Sequence, residues 1–175
     1  IVFDGKKSTP AYSFTKRDIE STMVLVVNGV SKLYGMTGFR IGWITANKKL
    51  VEVMCNIQSQ ITSGTSVLLQ AAAEGALTGM QSVVENLRLT FENNRNVIMQ
   101  ELRTFNDVKV IEPEGAFYCM PDFRAYTNNS VELANHILNK ALVVTIPGID
   151  FGMEGHLRLS FAGSIKDIIS AVERI

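Results

Sequence analysis

Met80, Val83, Val84, Leu87, Phe91, Ile98, Leu102 and Phe105 recur along one face of what reads as a single helix. The pattern runs for about 25 residues, roughly twice the average helix length, and predicts a helix that bridges two domains. A chain of 175 residues has room for one ordinary domain or two small ones, so this helix argues for two lobes. Before it, Thr22–Val27 is continuous and β-branched, as expected of a strand buried on both faces of a parallel sheet. A glycine-dotted loop, Asn28–Gly38, leads to a second strand at about Phe39–Thr45. Asn47 is placed to cap a helix whose apolar residues Leu50, Val51, Met54, Ile57 and Ile61 fall three or four apart. A polar break at Thr62–Thr65 precedes an alanine-rich helix ending near Gly79.

Beyond the long helix, strands are expected near Val108–Ile111 and Gly115–Met120, and a helix over Val131–Lys140. Leu142–Thr145 reads as a strand stopped by Pro147–Gly148, and His156–Phe161 as an alternating strand. Ser164 and Asp167 form a capping-box pattern opening a last helix, with Ile165, Ile168, Ile169 and Val172 turned inward. Alternating strands and helices make the class α/β or α+β. At the other end, Ile1–Val2–Phe3 reads as a strand already in progress and Asp4–Gly5–Lys6–Lys7 as a turn, so a piece of something longer is expected.

Lysine plus arginine and aspartate plus glutamate both number 17, which excludes grip on nucleic acid or anionic membrane by bulk charge. No apolar run approaches the ~20 residues that span a bilayer. With 46% hydrophobic residues the chain has material for a core and is not disordered. Cys55 and Cys119 lack metal-ligand spacing and read either as reduced thiols of a cytosolic protein or as one long-range disulfide. No metal site is expected.

The chemistry concentrates in Asn28–Trp43. Lys32 lies just past the end of a strand, where ligands bind in open α/β sheets. A lysine partly desolvated there has its ammonium form disfavoured and its amine freed for Schiff-base chemistry. Arg40 follows at the start of the next strand, where it could return beside Lys32 and offer a bidentate partner to a phosphate. Gly35, Gly38 and Gly42 permit close backbone approach or positive φ. Alone, a lysine in such a loop is as readily a solvated surface group. The combination is what informs.

Ser31–Lys32–x–x–x–Met36–Thr37–Gly38–x–Arg40–x–Gly42 closely resembles the lysine motif of fold-type I pyridoxal-phosphate enzymes, in particular class I/II aminotransferases similar to aspartate aminotransferase. Three further stretches resemble that family in the expected order: Glu112–Tyr118, Val144–Gly152 and His156–Phe161. The first also suits a plain type II turn before a strand. The resemblance implies pyridoxal 5'-phosphate as cofactor, Lys32 as its aldimine lysine and Arg40 on its phosphate, with Ser31 a weaker cofactor contact. It implies Arg158 as the residue that clamps the substrate α-carboxylate, and the physics fits, since a planar fork matches a carboxylate in two hydrogen bonds.

By the same resemblance the fold is part of fold type I. Residues 1–90 would be the end of a large α/β cofactor domain and 91–175 a small α+β C-terminal domain, joined by the helix at about 80–105. The family's earlier cofactor contacts, a phosphate loop, a stacking aromatic and the aspartate on the pyridine nitrogen, are not among these residues. The expected activity is amino transfer between an L-amino acid and a 2-oxo acid by a cytoplasmic homodimer, with the 175 residues alone inactive. Other chemistry on the same scaffold, such as a β-lyase, and a non-catalytic packing domain stay open. Thr62–Thr65 resembles a segment that approaches a neighbouring subunit's site. His136 and His156 read as surface or capping residues.

Overall fold

A computed structural model describes residues 1–175. The elements in chain order are β1 (Val26–Gly29), β2 (Gly42–Thr45), α1 (Lys48–Ile61), α2 (Val67–Thr78), α3 (Ser82–Leu102), β3 (Tyr118–Cys119), α4 (Ser130–Ala141), β4 (Ile146–Pro147), β5 (Leu157–Ser160) and α5 (Ile165–Arg174). Residues 7–87 form one compact unit, and residues 1–6 with 88–175 a second; α3 carries the chain across the boundary. No helix is long and apolar enough to cross a membrane.

In the 7–87 unit, β1 and β2 pair antiparallel, from Val26↔Thr45 to Gly29↔Gly42. This corrects the parallel, doubly buried strand expected over Thr22–Val27. The ladder starts only at Val26, and Met23 and Val27 are 83% and 70% exposed. A continuous apolar run shows that both faces of a strand are oily; it does not name the partner strand or what covers it. The second strand is also shorter than expected, because Thr37–Phe39 coils into a 3-10 turn. The helix signals are local and hold. Asn47 Oδ1 accepts the Leu50 N–H at 3.0 Å to cap α1, and its Nδ2 donates to the Thr22 carbonyl at 3.0 Å. Gln81 Nε2 donates to the carbonyls of Ala76, Leu77 and Gly79 and closes the end of α2.

In the second unit a three-stranded antiparallel sheet has the order β3-β5-β4. Leu157, Leu159 and Phe161 point into the core with Ile98, Met99 and Leu102 of α3, Ile137 of α4, and Ile168 and Val172 of α5. Asn94, itself buried, donates to the carbonyls of Phe161 and Gly163 at 2.9 Å each and stitches α3 to the chain leaving β5. Ser164 Oγ accepts the Asp167 N–H and donates to its carboxylate, so α5 opens on the expected cap. Ile165 is half-exposed rather than inward. Three strand expectations need correction. Val108–Ile111 contributes one bridge, Lys109↔Asp122, and the strand in Gly115–Met120 is only Tyr118–Cys119. Leu142 ends α4 in the left-handed region, so pairing starts at Ile146 and includes Pro147. Proline is tolerated because β4 is an edge strand.

Residues 1–6 join this unit through backbone and charge. Phe3 N–H donates to the Glu114 carbonyl at 2.9 Å and Ala116 N–H to that of Ile1 at 3.0 Å. Asp4 and Gly5 take φ of 58° and 67°, and Lys6 N–H returns to the Phe3 carbonyl, so Asp–Gly forms a type I′ turn. Arg95, 3% exposed, donates to both carboxylate oxygens of Asp4 at 2.6 and 2.7 Å. Both cysteines are free, Cys55 exposed and Cys119 buried, and burial pushes the Cys119 thiol up to about 12.

The hydrogen bonds from Arg95 hold the Asp4 carboxyl below its ordinary 3.8. A carboxyl whose folded value is depressed stabilises the fold above its unfolded value, and that stabilisation fades as pH falls through the folded value. Urea unfolding of the wild type should therefore weaken between pH 5 and pH 2 by more than that of Asp4→Asn, which is already the less stable at pH 7. Equal losses in both proteins would refute the coupling.

Candidate active site

The loop carrying Lys32 is fastened at both ends by core residues. Val30 is fully buried and Ile41 9% exposed, and with Ala73 they form the buried cluster of the 7–87 unit. Tyr34, Met36 and Trp43 pack against the same cluster, together with Leu69 and Ala76 of α2. Loop side chains on either side of Lys32 are thus held inward, while Lys32 itself is exposed and Ser31 half-buried. Backbone bonds from Tyr34 N–H to the Val30 carbonyl and from Gly35 N–H to the Lys32 carbonyl, both 3.3 Å, fold the loop into successive turns. Tyr34 Oη donates to Gln81 Oε1 at 2.9 Å and ties it to the residue that closes α2. Gly42 is required by approach: a Cβ there would stand 2.7 Å from the Asn28 carbonyl oxygen across the β1–β2 pair. Gly38 has open space around it and an ordinary φ, so the freedom expected there is unused.

Arg40 precedes β2 instead of starting it. It takes φ 49°, uncommon for a side chain this long, and Nη1 donates to the Thr37 carbonyl at 3.1 Å. Lys32, Ser31 and Arg40 share this one loop, all in the 7–87 unit. The partial desolvation expected of Lys32 is not present, because its side chain is exposed. The groove of about 700 Å³ beside β2, which includes Trp43, Gln58, Thr65 and Gln70 in its wall, is lined by none of the three.

Arg158 belongs to the second unit. It sits on the central strand β5, half-buried, with its guanidinium carbon 4.5 Å from the ring centre of Tyr118 and 4.7 Å from that of Phe151. Both rings lie in stretches read from the sequence, Glu112–Tyr118 and Val144–Gly152, but their approach to Arg158 was not foreseen; the strand register brings Tyr118 to it. Gly148 locks the Phe151 turn: a Cβ there would lie 2.1 Å from the Met153 carbonyl oxygen and 2.5 Å from that of His156. The Glu112–Tyr118 segment is no simple type II turn, since its positive φ falls at Ala116 and not at Gly115. Beside it, Asp122 receives two side-chain hydrogen bonds and a backbone one from Arg124, which hold its carboxyl well below the usual range, and His156 Nε2 stands 4.0 Å away.

The lysine loop thus lies in the 7–87 unit, and the arginine framed by rings lies on the antiparallel sheet of the other unit. The family model for aminotransferase class I and II matches residues 1–175, and the chain belongs to that family. It is 37% identical, over its whole length, to a probable aspartate/prephenate aminotransferase of Rickettsia bellii, of which it covers 46%. It is 39% identical over 86% of its length to an aspartate aminotransferase of Streptomyces avermitilis, of which it covers 39%. The crystal structure of the aspartate aminotransferase from Rhizobium meliloti superposes with a TM-score of 0.91 at 31% identity, over 99% of this chain and 46% of that one. The fold is therefore the partial fold-type I architecture expected, and the chain spans less than half the length of these relatives.

Trp43 is the only tryptophan and packs against the cluster formed by Val30, Ile41 and Ala73, so its fluorescence reports on the anchor of the lysine loop. Val30→Ala should cost about 1–3 kcal/mol from lost burial and the cavity left behind. The check is denaturant unfolding followed at Trp43, where an unchanged midpoint would mean that Val30 does not anchor the loop.

Proposed function

We propose that the full-length protein transfers an amino group between an L-amino acid and a 2-oxo acid, with pyridoxal 5'-phosphate as cofactor and Lys32 as the residue that holds it. The observation that carries this reading is the Ser31–Arg40 loop, whose flanks Val30 and Ile41 are buried while Lys32 and Arg40 remain accessible from one short segment. Its donor set fits the cofactor. A primary amine meets an aldehyde, and a guanidinium with one donor on Thr37 keeps further N–H groups for a phosphate. Ser31 would support the phosphate as a secondary contact. The cofactor, when bound, supplies the electron sink for charge developing at the substrate Cα.

The chain's own residues do the rest. Lys32 Nζ would take the proton from Cα of the donor amino acid as base and, in the opposite half-reaction, deliver a proton to Cα of the acceptor as acid, a dual role open to a free amine. Arg40 holds the anionic end of the cofactor against the loop. Arg158 binds the substrate α-carboxylate in two hydrogen bonds and so fixes the direction of the Cα–H bond. In this reading the 7–87 unit belongs to the cofactor domain, the unit of residues 1–6 and 88–175 is the small domain, and the full-length protein works as a homodimer. The 175 residues by themselves are catalytically silent, since Lys32 and Arg40 are only part of what holds a cofactor.

Borohydride reduction of the cofactor-loaded full-length protein, followed by peptide mapping, should place the pyridoxyl group on Lys32; a label on any other lysine refutes the assignment. With an amino acid and a 2-oxo acid acceptor, the product should be the acceptor's amino acid, whereas ammonia and pyruvate would indicate elimination. The 175-residue chain, saturated with cofactor and assayed beside the full-length protein, should show no transamination. Turnover within about tenfold of full length would overturn that expectation.

A further inference from the structure

The arginines of this unit are mostly committed to carboxylates of the chain: Arg88 to Glu92, Arg95 to Asp4, Arg103 to Glu112 and Arg124 to Asp122. Arg158 is held differently. Its partners are two aromatic faces, which attract the cation through the ring quadrupole and use none of its N–H donors. The topology explains how both rings reach it. On one side of β5, Tyr118 pairs with Ser160, two residues from Arg158, so Tyr118 lies diagonally across from Arg158 on the same face of the sheet. On the other side, Ile146 of β4 pairs directly with Arg158, and the chain runs on through Pro147 and Gly148 into the 3-10 turn that ends at Phe151.

That turn is rigid. Gly148 N–H donates to the His156 carbonyl at 2.8 Å and Met153 N–H to the Gly148 carbonyl at 2.9 Å. Ile149 N–H donates to the buried Ser130 Oγ at 3.2 Å, and Gly152 closes the turn at φ 71°. Phe151 is nonetheless 46% exposed, so its ring serves the core little.

We propose that Tyr118 and Phe151 are positioning residues for the substrate. Approaching from opposite sides of β5, they fix the Arg158 guanidinium and leave its edge to a carboxylate. This rests on the proposed role of Arg158 in binding the substrate carboxylate. Specificity for a planar anion follows, because a fork whose faces are covered donates hydrogen bonds only in its own plane.

The test uses the full-length, cofactor-loaded protein, with maleate as a non-reacting dicarboxylate measured by calorimetry and L-aspartate as amino donor. Phe151→Leu should weaken maleate binding and raise the KM for L-aspartate about five- to thirtyfold, with kcat changed less than about threefold. Tyr118→Leu should behave alike. Phe151→Tyr and Tyr118→Phe, which keep a ring, should bind within about twofold of wild type. Arg158→Lys tests the reading beneath: it should weaken maleate more than either ring deletion while the bound-cofactor spectrum persists. If Arg158→Lys leaves maleate binding unchanged, the role of Arg158 fails and the positioning role with it. If Arg158→Lys weakens binding but both leucine variants bind as wild type, or the ring-keeping variants are as weak as the leucines, the positioning role alone is overturned.

Discussion

Burying a guanidinium is costly, and in the unit of residues 1–6 and 88–175 the cost is met at one point, Arg95. The compensation comes from several directions: both oxygens of Asp4, the Pro113 carbonyl at 3.2 Å, the Asn96 side chain, and the Phe3 ring 5.1 Å below the guanidinium carbon. Asp4 is about half-exposed, so the carboxylate keeps much of its hydration while the arginine loses nearly all of its own. The pair therefore places a short N-terminal segment against α3. Phe3 can then be fully buried near Phe161, whose ring lies 6.4 Å away, and Phe161 is the residue that leaves β5. The strand bearing Arg158 is thus backed by a core that includes the first residues of the chain.

The 7–87 unit solves a different problem with fewer means. Its buried cluster is small, and most of the residues that pack on it come from the lysine loop or from α2. Stability and presentation of the loop are consequently the same quantity: what holds Val30, Tyr34 and Met36 inward also holds Lys32 outward. Arg40, in its left-handed conformation, bends the chain sharply into β2 and turns its own guanidinium back on Thr37. Such backbone strain is tolerated where the surroundings determine it, here by Ile41 in the core on one side and Met36 on the other.

How much of this was legible in the sequence depended on the range of the interaction. The caps Asn47 and Ser164 act within a turn and were read correctly from spacing; of the stripe expected over 80–105 only Phe91, Ile98 and Leu102 are buried, while Met80, which lies before α3, and Val83 are exposed. The family was legible because the motif around Lys32 is dense and contiguous. What failed was non-local. Thr22–Val27 could not reveal that its neighbour would be antiparallel β2, nor Leu142–Thr145 that pairing with β5 would wait until Ile146. The left-handed Arg40 was hidden because nothing in its own identity favours that conformation. Tyr118 and Phe151 were hidden because they come together only through the register on the two sides of β5.

The two cysteines differ in a way that gives the molecule a chemical address. At pH 8 a thiol pushed up to about 12 by burial stays protonated. Cys119 is also 2% exposed, so an alkylating reagent meets neither the nucleophile nor the space to approach it. Cys55 stands on the open face of α1. A maleimide dye or spin label applied to the unmodified chain will therefore report from α1 alone, giving a single-site probe of the unit that carries Lys32 without any engineered residue.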